Sequence, residues 1–325
     1  MSRLVECVPN FSEGRRTEVV DELAAAVEAT AGVRLLDRTS DADHNRSVLT
    51  FAGPAGPVTE AMEAAVRVAI ERIDLERHEG QHPRIGAVDV IPFVPLGETT
   101  MDECVELART FGARIAERFG LPVYLYARAA QRPDRVVLAD IRKPQFEGLK
   151  EQIGHPGREP DYGPARVHPS AGAVAVGARP FLIAYNINLE SGDLDLAKRI
   201  AHRIRERSGG LPRVQALGLY LADLRCAQVS MNLLDFSITP MWRVWEQVRA
   251  AAAVEGVAIR ESELIGLAPL AALTDVADHA EIPSELPAAD RITAAAGWLK
   301  IRDFRPDMAL ELRLAEAGAG DGSDV

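Results

Sequence analysis

The chain has 325 residues, 47% of them hydrophobic and 26% charged, with a formal net charge of −11. That length suits one large core or two ordinary ones, and the acidic balance excludes broad nucleic-acid binding and an anionic membrane surface as partners. It leaves room for a small anionic substrate, because a few local arginines outweigh a diffuse negative field.

The start, MSRLVECVPN, lacks the apolar core of a signal peptide, and no stretch reaches the roughly 20 apolar residues of a membrane span. RLVECV (3–8) reads as a strand. Residues 15–30 have helical spacing at Val19, Leu23, Ala26 and Val27. Strands follow at 33–37 and 46–53, around a polar loop, RTSDADHN. The segment 57–73 places Val58, Met62, Ala65, Val66, Ala69 and Ile70 on one helical face. GAVDVIPFVPL (86–96) reads as a strand interrupted by prolines, followed by a helix over 100–120 and a strand over 122–127. Residues 143–179, rich in Pro and Gly, read as a link.

The second half repeats the order: strand 180–189, helix 193–210, strands 214–221 and 227–236, helix 241–256, strand 257–266. The fold class is therefore α/β (α+β), two subdomains that each begin in the β-α-β-β-α-β, ferredoxin-like order. The divisions fall at 1–179 and 180–316, with an acidic, disordered tail expected over 317–325. Cys7, Cys104 and Cys226 are scattered, with no C-x-x-C. They suit a reducing cytoplasm and read as small buried hydrophobes.

His78-Glu-Gly-Gln-His82 matches H-E-x-x-H, the zinc-peptidase signature, which needs a helix to aim both imidazoles at one metal. Gly80 weakens a helix there, and Pro83 pushes His82 toward extended backbone. The metzincin continuation wants Gly and His where the chain has Ile85 and Val88. No metal is expected. What is left is a histidine-bearing loop between a helix and a strand, which reads either as a proton shuttle or as a surface turn.

Four long motifs, LVECVPNFSEGR, HEGQHPRIGAVDVIPFVPL, GARPFLIAYNINL and AQVSMNLLDF, occur in order from about residue 2 to at least residue 270. In them the chain resembles the glutamate formiminotransferase (formimidoyltransferase) family. The resemblance implies transfer of a formimino group from N-formimino-L-glutamate to tetrahydrofolate, as in histidine degradation. It also implies a substrate cleft between two α/β subdomains and a homodimer in the cytoplasm, with tetrahydrofolate as co-substrate. In the family the second histidine of H-x-G-x-H-P-R is the acid–base residue; it falls on His82. The folate-contacting loop falls on Gly163, Pro164, Ala165, Arg166, Val167, His168, Pro169, Ser170, Ala171 and Gly172. The animal enzymes carry an aromatic where this chain has Ala171, and a cyclodeaminase domain after the transferase that is not expected here.

The chemistry asks for few tools. An amine attacks the amidine carbon and loses a proton, and the glutamate nitrogen gains one before it leaves; one imidazole of ordinary pKa serves both steps. Arg46, Arg84 and Arg179 are candidates to fork the substrate carboxylates. For Arg46 and Arg179 a solvated surface role reads equally well. Asn10, Asn186, Asn188, Gln228 and Asn232 offer amides for pterin or amidine edges. Asn188 reads also as a strand-end turn residue. Two other readings share the site: formyl transfer between 5-formyltetrahydrofolate and glutamate, and folate binding without chemistry.

Overall fold

The computed structural model describes residues 3–319. Its contacts divide the chain into two compact units, meeting in sequence at Arg179 and Pro180.

In the first unit, β1 (Arg3–Cys7) and β2 (Asn10–Phe11) form one broken line. They lie between β4 (Arg46–Gly53) and β5 (Val88–Gly97), antiparallel to both. β3 (Arg34–Asp41) forms a hairpin with β4. On the other side β5 runs parallel to β7 (Val174–Ala178), which runs parallel to β6 (Val123–Ala127). Three helices pack on one face: α1 (Thr17–Glu28), α2 (Ala55–Arg72) and α3 (Met101–Phe119). α3 is closed at its start by a reciprocal Thr100–Glu103 capping box and at its end by Gly120 at φ 65°. β6 alternates strictly. Val123 and Leu125 face these helices, while Tyr124 and Tyr126 face a second small core with Ile141 and Leu149. That core belongs to α4 (Leu138–Arg142) and α5 (Gln145–Gln152).

Three expectations are corrected here. The stretch 143–179 is no link: it supplies α5 and the buried strand β7. The first half of the polar loop 38–45 is strand, since β3 runs on to Asp41 before a turn over 42–45. Finally, the prolines do not interrupt β5. Pro92 sits opposite Gly177 and Pro95 opposite Val5; each lacks one donor, but β5 is held by neighbours on both edges.

The second unit follows the order β8 (Ile183–Leu189), α6 (Leu194–Ile204), β9 (Val214–Leu221), β10 (Cys226–Leu233), α7 (Met241–Val254), β11 (Ile259–Ile265). Its antiparallel sheet is ordered β11-β8-β10-β9. Helix α6 stops six residues earlier than its spacing predicts, and a 3-10 turn (Glu206–Ser208) takes over before Gly209 and Gly210. Ile183, Tyr185, Ile187 and Leu189 face α6 and α7. The remaining helices, α8 (Leu270–His279), α9 (Ala288–Trp298) and α10 (Leu310–Ala319), join the same core. Of the expected tail, residues 320–325 lie outside the described residues. The three cysteines are free and buried. Among the described residues no helix is long and apolar enough to cross a membrane.

Candidate active site

The segment between α2 and β5 is built of turns and bends, with no helix through His78–His82. His78 is fully used inside the protein. Its Nε2 bonds the Asn45 carbonyl at 2.9 Å, and its Nδ1 accepts from Arg84 Nε at 3.1 Å. That fixes the neutral tautomer with hydrogen on Nε2, and burial lowers the ring's pKa in the same direction. A metal would find neither nitrogen available, so the pentapeptide cannot act as a zinc pair without dismantling these bonds.

Arg84 is a structural anchor. It is buried, and its fork grips Glu147 of α5 at 2.7 and 2.9 Å. The remaining donors reach His78 Nδ1, the His78 carbonyl and Gln145. With all five N–H groups engaged, it has no free fork for a substrate carboxylate, which corrects the role expected of it. Its effect is to hold the loop that ends in His82.

His82 is half-buried, and among the described residues neither of its ring nitrogens makes a hydrogen bond to the protein. It lines a cavity of about 10 Å³ with Phe11, Ser12, His44, Arg46 and Asp89. The His44 ring meets it edge-on, 6.2 Å between centroids, and His44 is itself oriented by Asp41, which accepts from its backbone N–H and contacts its Nδ1 at 2.8 Å. Burial first, then the Arg46 and Arg142 guanidiniums, depress the His82 pKa to about 4, with Asp89 opposing them. An ordinary imidazole was expected; burial and the neighbouring guanidiniums instead hold this ring well below the usual histidine range.

Arg46, at the start of β4, donates through Nη2 to Asn10 Oδ1, and Asn10 turns its amide to the Val8 carbonyl at 3.0 Å. Burial and the nearby Arg142 lower the Arg46 pKa to about 10. Asp89 interrupts the apolar run of β5. It accepts the Ile85 N–H at 2.7 Å and pairs with Arg142 of α4. Arg179 lies beside Tyr126 and Cys7.

The expected folate loop is stitched to this segment. Gly172 bridges Gly86, Ala87 donates to the Ala171 carbonyl and Leu75 to that of Ser170. His168 and Gly172 exchange backbone bonds across the tip, and His168 Nδ1 accepts from Ala171 at 3.1 Å. Burial lowers the His168 pKa. Gly163, Ala165, Arg166 and Pro169 are exposed, while Pro164, Val167, His168 and Ser170 are intermediate. Ala171 is packed into the main core.

The second unit holds its own polar sheet face. Asn186 reaches Glu263 at 3.3 Å, Asn188 reaches Glu261 at 3.1 Å, and Gln228 donates to Asn188 at 2.9 Å. Arg302 pairs with both glutamates. Asn188 is fully buried inside β8, so it is no strand-end turn residue. Asn232 lies in register with Ala184 on β10.

Sequence reasoning missed Asp89, Arg142, His44 and Glu147. Asp89 carried a signal, an acid inside an apolar strand.

Two family models match in succession: the formiminotransferase domain, N-terminal subdomain, over residues 4–179, and the formiminotransferase domain over 184–288. The chain belongs to the formiminotransferase family. A glutamate formimidoyltransferase of Thermoplasma acidophilum is 49% identical over 278 residues, 85% of this chain and 91% of that one. One from Streptococcus pyogenes serotype M1 is 46% identical, covering 86% and 93%. A formimidoyltransferase-cyclodeaminase of Rattus norvegicus is 46% identical over 85% of this chain, which spans 52% of that longer protein.

Proposed function

We propose that the chain transfers the formimino group from N-formimino-L-glutamate to tetrahydrofolate, giving 5-formiminotetrahydrofolate and L-glutamate. The support is the near full-length similarity to two glutamate formimidoyltransferases. The observation that carries the chemical part is His82, an imidazole lining a cavity with Arg46 and Asp89, without a hydrogen bond among the described residues and with its pKa lowered by burial and the nearby arginines.

In this reading a neutral His82 accepts the proton of the folate amine as that nitrogen bonds to the amidine carbon. The tetrahedral intermediate then collapses, His82 returns the proton to the glutamate nitrogen, and the carbon–nitrogen bond breaks. Nothing is oxidised or reduced, and the proton count closes without a metal. The rigid support of His82, from Arg84, Glu147 and His78, keeps the ring placed for both transfers. The loop 163–172 is assigned to the folate. We read the order β11-β8-β10-β9 as a ferredoxin-like unit, and the active species as a cytoplasmic homodimer.

His82→Asn is expected to lower kcat at least about 100-fold, as loss of a general acid–base does, with the circular-dichroism spectrum unchanged. A near-wild-type rate would sink the assignment. Comparing kcat/KM for formiminoglutamate with that for 5-formyltetrahydrofolate plus glutamate decides the transferred group; a higher value for the formyl pair would replace the formimino reading.

A further inference from the structure

Arg46 is a half-buried cation, its Nε fully covered, without a carboxylate of its own. Among the described residues its hydrogen bond goes to the neutral Asn10 amide, and its buried Nε has no partner. The acids whose charge reaches it have nearer partners: Asp89 accepts the Ile85 N–H and forms an ion pair with Arg142, its Oδ2 making no hydrogen bond among the described residues, and Asp41 contacts His44. Arg142 contributes a second guanidinium whose buried Nε also lacks a hydrogen bond. A partly buried charge and unfilled N–H donors are costly to hold, and proteins keep them where a ligand completes the set. The same cavity is lined by His82.

We propose that Arg46, with Arg142 as its second cation, is the subsite for a carboxylate of the amino-acid donor, and that filling it turns His82 from a weak base into an effective one. This rests on the transferase reading above. The groups that face His82 come from four elements. Arg46 and His44 belong to the β3–β4 hairpin, Arg142 to α4 and Asp89 to β5; on its own segment Arg84 and His78 are bonded to each other. Three of these oppose protonation of the ring and Asp89 alone favours it. A carboxylate on Arg46 adds a second favourable charge. His82 therefore gains proton affinity only once the donor is in place, when the folate amine has a proton to lose. That proton later leaves with the glutamate nitrogen, so the ring ends as it began.

The test is an NMR titration of the His82 ring in the whole protein, assigned by comparison with His82→Asn. The probe is glutarate, a dicarboxylate that has no amidine and cannot react. Glutarate is expected to raise the wild-type midpoint by about one pH unit or more. Arg46→Gln is expected to raise the midpoint without glutarate and to abolish the response. Arg46→Lys, which keeps the charge and loses the fork, should keep the low midpoint and bind glutarate about tenfold or more weakly. A wild-type midpoint that saturating glutarate does not move overturns the proposal.

Kinetics separate the two sources of carboxylate. In Arg46→Gln the KM for formiminoglutamate should rise about tenfold or more, with KM for tetrahydrofolate and for tetrahydropteroate, which lacks the glutamyl tail, near wild type. A rise confined to tetrahydrofolate overturns the assignment and gives the subsite to the folate tail. A protein without transferase activity whose His82 still responds to glutarate overturns the proposed reaction and leaves the subsite standing.

Discussion

His82 differs from an ordinary imidazole because its proton would sit in a partly dry cavity among guanidiniums. The depression has a consequence for stability, with a definite sign. Above pH 6.5 the ring is neutral both folded and unfolded, so it contributes no pH dependence. As pH falls below 6.5 the unfolded chain takes up the proton, while the folded ring resists until about 4. Stability therefore drops through that window and levels off below it. His78 and His168 are lowered too and add slope of the same sign. Urea midpoints measured from pH 7 to 4 should fall less steeply in His82→Asn than in the wild type. Equal slopes would mean that the folded ring titrates normally. The residue scale also shows what sequence reading reaches. His82 and Asn10 stand in long motifs, and Arg46, outside those motifs, meets them at one place. Arg84 stands in such a motif too, but Glu147, which occupies its fork, is 63 residues away, and no local pattern links them.

At the scale of elements, the site depends on close backbone approaches between separate stretches. Gly172 has φ 68°, and a Cβ built on it would lie 2.2 Å from the Ile85 carbonyl oxygen. Gly80 lies as tightly on the β3–β4 turn, where a Cβ would come 2.3 Å from the His44 oxygen. Gly172→Ala is expected to destabilise the fold by more than about 1 kcal/mol, since it combines a left-handed backbone with a backbone clash. Equilibrium unfolding measures this, and a neutral result would show that the loop and the His82 segment are not in contact. Most elements were legible because their alternation or helical spacing is plain. β7, VAVGA, was not, because small apolar residues covered on both faces leave no alternation to read. α4 and its Arg142 were hidden for a related reason: five residues are too few for a helical period.

At the scale of the molecule, each unit has its own core, and the cavity with His82 is lined wholly by residues of the first. Residues 1–179 expressed alone should fold, with one cooperative unfolding transition, because both faces of their sheet are covered by their own helices. A broad, non-cooperative melt would show that the first unit needs the second. One amide adds a further tie within that unit. Asn45, in the left-handed region at φ 48°, accepts from Gly14 N–H and donates to the Glu79 carbonyl, joining the hairpin to two other stretches. Deamidation would exchange its donating NH₂ for a second oxygen facing the Glu79 carbonyl. A chemical ageing reaction at a single side chain, far milder than unfolding, would then loosen the turn that presents His44 to His82, and so set a shelf life on the site.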